Sequence, residues 1–141
     1  MKTWYTKDEA GTAAAAREIA AKLGPGSVVA FTGGMGMGKT AFVRGALAAF
    51  GNPSFVSSPT FALVHDYGGS PRIYHFDMYR VGDIDDLYAT GFFDYLDGES
   101  ILFIEWSENI TEALPADTVF VHISRGEAEN DRVITVEGGG F

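Results

Sequence analysis

The run Gly33-Gly34-Met35-Gly36-Met37-Gly38-Lys39-Thr40 has the spacing G-x-x-x-x-G-K-T, that of a loop which holds phosphate groups. Phosphate oxygens are approached most closely by bare backbone N–H groups, so side chains hinder and positive φ is often needed; glycine meets both demands. A helix beginning at the end of the loop adds the positive end of its dipole. Lys39 is placed to reach β and γ phosphates, and the Thr40 hydroxyl is a fitting ligand for Mg²⁺. The spacing does not suit a dinucleotide fingerprint, because Gly34 and Gly36 would require a third glycine where Lys39 stands. The plainer alternative is a flexible Gly/Met loop between core elements.

A phosphate loop works with acids at the ends of neighbouring strands. In Ile101-Leu102-Phe103-Ile104-Glu105 four apolar residues predict a buried strand, and in a parallel sheet its exit carboxylate, Glu105, sits beside the loop and can hold Mg²⁺. A surface glutamate at a strand end is the competing description. In Tyr74-His75-Phe76-Asp77-Met78-Tyr79-Arg80 the two-residue period puts His75, Asp77 and Tyr79 on one face. Burying Asp77 in an aromatic strand is costly without a partner. Positioning or deprotonating a water that attacks the γ-phosphate is one reason for it, and a salt bridge with Arg80 is the other. His75 reads as a hydrogen-bonded structural residue. Ser57-Ser58-Pro59-Thr60 lies where many P-loop hydrolases keep a segment that senses the γ-phosphate; Thr60 is its candidate, and a simple Ser/Pro turn is the alternative. A guanine reader of the Asn-Lys-x-Asp type is absent, since no lysine follows Lys39, so adenine is the expected base.

The elements that must position these groups form one alternating α/β series. Thr6-Lys7-Asp8-Glu9 has the form of a capping box and opens an Ala-rich helix to Leu23, ended by Gly24-Pro25-Gly26. Residues 27–32 are a continuously apolar strand, residues 41–50 a helix closed by Gly51-Asn52-Pro53. Strands are predicted at 60–67, 72–78 and 101–106, with a hairpin turn at Gly68-Gly69-Ser70-Pro71. A final pair is predicted at 119–123 and 132–136. The closing Gly138-Gly139-Gly140-Phe141 is expected to fray. Residues 81–98 read as a solvated acidic region over an ordinary core, with a docking surface as the sharper alternative.

The 141 residues carry 46% hydrophobic and 21% charged residues, the balance of a single domain, residues 1–141. Nineteen acidic against ten basic residues give a formal charge of −9, which excludes a surface that is one continuous nucleic-acid footprint. The absence of cysteine removes disulfides, thiolate catalysis and Cys-based zinc sites. No run approaches the length of a membrane span, and Met1 to Glu9 lacks the apolar core of a signal peptide, so a cytoplasmic protein that does not meet the membrane is expected.

Taken in order and spacing, Gly33 to Thr40, Ser57-Ser58-Pro59-Thr60-Phe61-Ala62-Leu63-Val64, His75-Phe76-Asp77-Met78-Tyr79-Arg80 and Ile104-Glu105-Trp106 resemble the TsaE family, formerly YjeE. That is the bacterial P-loop ATPase family needed for the threonylcarbamoyl modification of tRNA adenosine 37. The resemblance spans nearly the whole chain. The S-P-T-F and H-x-D-x-Y-R segments are specific to the family, whereas the phosphate loop alone is generic.

The resemblance implies a three-layer α/β P-loop NTPase fold, with a mostly parallel sheet between helices and antiparallel additions. It implies ATP phosphates on Gly33, Gly34, Met35, Gly36, Met37, Gly38, Lys39, Thr40 and the adjoining Ala41, Mg²⁺ near Thr40 and Glu105, and catalytic importance for Asp77. Thr60 and Trp106 become functional neighbours of the γ-phosphate, and Thr6, Asp8 and Arg132 candidates for adenine. The family's partners are TsaD and TsaB, the pair that transfers the threonylcarbamoyl group, so tRNA is met only indirectly and ATP drives a reset of that transferase. Two departures stand out: Gly34 where the family usually has Asp, and Ser107-Glu108-Asn109 where it has Pro-Glu-Arg. The alternative from another class is a small P-loop kinase, with Asp77 as base and Arg125 or Arg132 on the transferred phosphoryl group.

Overall fold

The structure, a computed structural model, describes residues 1–32, 38–52 and 64–141. Its centre is made by two apolar runs, β2 (Val28–Thr32) and β5 (Ile101–Glu105), which pair in parallel with Val28 opposite Leu102 and Ala30 opposite Ile104. Strands buried on both faces need no polar alternation, and all but Thr32 of their ten residues are buried.

Around this pair the sheet has seven strands in the order β1-β7-β6-β2-β5-β4-β3. β4 (Ile73–Asp77) and β6 (Val119–Arg125) run parallel to their central neighbours. Two antiparallel hairpins complete the edges: β3 (Val64–Gly68) with β4, and β6 with β7 (Arg132–Glu137), which in turn pairs with β1 (Lys2–Thr6).

Side chains alternate between two cores. Val29, Phe31, Ile101, Phe103, Val121 and Ile134 face the helices α1 (Glu9–Ala20) and α2 (Lys39–Ala49). Val28, Leu102, Ile104 and Phe76 face the short helix α3 (Ile84–Thr90) and the 3-10 segments Phe92–Tyr95 and Ser107–Ala113, through Leu87, Phe92 and Ile110. The two helices of the first layer touch closely: a Cβ on Gly45 would lie 2.4 Å from the backbone oxygen of Ala13.

Three local expectations change. The cap of α1 is Asp8, whose Oδ1 accepts the Gly11 N–H at 2.7 Å; Thr6 is the last residue of β1 and faces Arg132 across the edge, so the capping box is not formed. β1 itself is absent from the sequence reading, because its residues are mostly exposed and show no clean alternation. The segment 138–141 folds back, with the Phe141 N–H donating to the Gly138 carbonyl at 3.0 Å and its ring packing on the first core. No described helix is long and apolar enough to cross a membrane.

Candidate nucleotide-binding site

The helix α2 starts where the glycine-rich run ends. Gly38, its N-cap, has φ 98°, in the left-handed region that glycine occupies without strain. Among the described residues no side chain caps this helix. The first N–H groups of a helix lack intrahelical partners and carry the positive dipole end, a natural anion site. Lys39, 6% exposed, places its Nζ 5.5 Å from the centroid of the Trp106 ring, a cation–π contact that joins the start of α2 to the end of β5. Thr40 is half-buried and Ala41 buried beside it.

Trp106 is the one non-glycine residue among those described with positive φ, 59°. Such a conformation costs on the order of 1–3 kcal/mol and persists only where the surroundings impose it. Here the ring meets Tyr79 edge-on at 4.9 Å, and the hydroxyl of the next residue, buried Ser107, donates to the Phe31 carbonyl at 2.8 Å. The chain leaving β5 is thereby tied to β2. Asn109, in the stretch that departs from the family pattern, donates to the Met78 carbonyl at 2.9 Å and anchors the same segment to the end of β4.

Asp77 and Glu105, the last residues of β4 and β5, are partners in the parallel register. By the alternation of the strands they leave the same face as Ile73, Ile101 and Phe103, the face covered by α1 and α2. Both carboxylates therefore stand at the carboxyl edge of the sheet, on the side from which α2 starts. Asp77 Oδ1 accepts the Tyr79 N–H at 2.9 Å. The ion pairs among the described residues are Arg72 with Asp66 and His75 with Glu105, so the Arg80 pairing for Asp77 is not formed.

Glu105 is 8% exposed. Its Oε2 lies 2.7 Å from Nε2 of fully buried His75, an ion-pair distance, and among the described residues neither atom has a hydrogen-bond partner. The other ring nitrogen, Nδ1, is 3.0 Å from the Tyr67 hydroxyl. Burial first, and then the charge of Glu105, pushes the Tyr67 phenol up to about 12. The sequence reading takes His75 as structural and does not name Tyr67; the available signal was the two-residue period that sets His75 on the face of Asp77.

Thr40 and Glu105 offer hard oxygen donors, the chemistry that suits Mg²⁺. Among the described residues no group of three or more His, Cys, Asp or Glu could hold a metal ion.

Of the three adenine candidates, Thr6 is the one linked to the start of α2. Thr6 and Arg132 are register partners. The Thr6 hydroxyl is 3.0 Å from that of Thr12, and among the described residues Thr12 is the side chain nearest the Cβ position of Gly38, at 3.8 Å. Asp8 spends Oδ1 on the cap of α1, and Arg132 donates from one guanidinium nitrogen to the carbonyls of Glu129 and Asp131, each at 2.8 Å. Gly33, Gly34, Met35, Gly36, Met37 and Thr60 lie outside the described residues.

A family model, Threonylcarbamoyl adenosine biosynthesis protein TsaE, matches residues 6–134. The chain belongs to the TsaE family. Proteins named tRNA threonylcarbamoyladenosine biosynthesis protein TsaE are similar to it: that of Bacillus subtilis is 34% identical over 140 residues, covering 98% of this chain and 87% of the relative. That of Treponema pallidum is 37% identical over 114 residues, 81% and 84% of the two chains. That of Haemophilus influenzae is 41% identical over 97 residues, 68% and 61%. Among solved structures the chain resembles a crystal structure of Bacillus subtilis YdiB, with a TM-score of 0.80 at 30% identity over 99% of this chain and 86% of that one. The fold is the α/β P-loop NTPase arrangement that the TsaE resemblance implies, and it marks a nucleotide-binding protein.

Proposed function

We propose that this chain is a Mg²⁺-dependent ATPase of tRNA threonylcarbamoyladenosine formation, acting with the TsaD–TsaB transferase in the cytoplasm to support its turnover. The carrying observation is the convergence of the start of α2, through Lys39 on Trp106, with the strand-end pair Asp77 and Glu105. In this reading the α2 N-terminus, Lys39 and the glycine-rich run Gly33 to Gly38 hold the phosphates. The Thr40 hydroxyl and the Glu105 carboxylate hold Mg²⁺, which when bound neutralises charge on the β and γ phosphates. Asp77 orients the attacking water and takes its proton, with Thr60 and Trp106 as neighbours of the γ-phosphate. Thr6, Asp8 and Arg132 face the adenine end. The acidic surface supports a role in which tRNA is met only through the partners, because gripping several phosphates takes clustered Lys and Arg.

The test is phosphate release from Mg-ATP by the purified protein, alone and with the TsaD–TsaB pair, with Lys39→Ala as blank. Slow release that the pair stimulates and the variant abolishes is expected. Intact nucleotide binding with no response to the pair would overturn the partner-driven reading.

A further inference from the structure

A histidine and a carboxylate buried against one another are a poor way to build a core. Removing both from water costs more than their contact returns, and apolar residues of similar volume are often as stable or more so. Yet His75 is fully buried, 2.7 Å from Glu105 on one nitrogen and 3.0 Å from the Tyr67 hydroxyl on the other. The three residues form a continuous line across the sheet, from edge strand β3 through β4 to the end of β5.

Nε2 approaches Oε2 to 2.7 Å, while Nδ1 shares a hydrogen bond with the Tyr67 hydroxyl. With both nitrogens in contact, the ring orientation is fixed, as it is for the outer partners that orient ion-holding groups. We infer that His75 is a positioning residue which, braced by Tyr67, holds the Glu105 carboxylate by Oε2 and leaves Oε1 to the ion accompanying the nucleotide. This rests on the proposed Mg²⁺-nucleotide site. His75 is fully buried and acts through Glu105. It also makes the β3–β4 hairpin part of the site, since Tyr67 supplies the brace.

The experiment compares wild type with His75→Leu, His75→Gln and Tyr67→Phe. A non-hydrolysable ATP analogue at saturation is titrated with MgCl₂, and the ion concentration for half of the Mg²⁺-dependent thermal stabilisation is read; analogue affinity in EDTA is measured separately. Loss of such an outer partner typically weakens ion binding about 10–100-fold. His75→Leu is expected to raise the half-point at least about tenfold with affinity in EDTA unchanged. His75→Gln, whose amide offers a polar N–H toward Oε2, is expected to bring it back to within about threefold, and Tyr67→Phe to shift it by a few-fold. An unshifted His75→Leu, or a shift in which Gln fails to rescue and EDTA affinity falls equally, overturns the positioning role. If His75→Leu does not fold, Tyr67→Phe decides: a shifted half-point supports the brace, and an unshifted one overturns it. A wild type with no Mg²⁺-dependent stabilisation would instead sink the underlying nucleotide-site reading.

Discussion

The ammonium of Lys39 sits 5.5 Å from the centre of the Trp106 ring, bridging the first turn of α2 and the elbow after β5. Both residues are held where they are by other contacts: Lys39 is buried, and Trp106 is pinned at positive φ by Tyr79 and the Ser107 hydrogen bond. A lysine that turns to phosphate must loosen its contact with the indole, which makes Trp106 a reporter. In a Trp4→Phe background, Mg-ATP is expected to change Trp106 emission. Lys39→Ala is expected to abolish the response and weaken ATP binding by about 10–100-fold, the loss of one charge-assisted contact. An unchanged emission at saturating nucleotide would remove Trp106 from the site.

Asp77→Asn separates chemistry from folding. The Tyr79 N–H is accepted at Oδ1, and an amide oxygen accepts it as well, so thermal stability is expected to stay within a few degrees of wild type. A positioned general base contributes about 10²–10⁴-fold, and partner-stimulated phosphate release should fall by that order with nucleotide affinity retained. Full activity in this variant would assign the proton to another group.

Ser107→Ala tests the tie between β5 and β2. The hydroxyl is buried and donates to the Phe31 carbonyl; losing it costs about 1–2 kcal/mol, a fall in Tm of roughly 2–8 °C for a chain of this size. Differential scanning calorimetry measures it. An unaltered Tm would show that the elbow is held by its apolar contacts alone.

Gly45→Ala tests the contact between α1 and α2. The added methyl would sit 2.4 Å from the Ala13 carbonyl oxygen, backbone rather than a flexible side-chain end. The helices must part, and overpacking of this kind costs on the order of 1–3 kcal/mol or more. Urea unfolding should show a lowered midpoint, even though alanine is the better helix former by about 1 kcal/mol.

Tyr67 predicts an alkaline limb. Its folded pKa, about 12, is raised above the ordinary 10.0, so the folded state holds the proton more tightly than the unfolded chain. That contribution is complete below pH 10 and is lost as the pH rises toward 12. Urea midpoints of wild type and Tyr67→Phe should therefore converge over this window; parallel curves would mean that the phenol titrates normally.

The sequence by itself determined the parts whose signals are local. Glycine spacing announces a phosphate loop because backbone approach and positive φ allow little else, and continuous apolar runs at 28–32 and 101–105 announce central strands because burial on both faces forbids alternation. The carboxylate that closes the second run, Glu105, followed from the same reasoning. Thr6 as a capping residue was a local signal overridden by pairing: its register with Arg132 takes it into β1, and Asp8 caps α1 instead. What only the tertiary structure decided is which separated groups meet. Tyr67, His75 and Glu105 come from three strands, and no spacing along the chain reveals that a hairpin and a parallel register bring them into line. The contact of Lys39 with Trp106, 67 residues apart in sequence, likewise exists because packing α2 on one face of the sheet sets its start beside the end of β5.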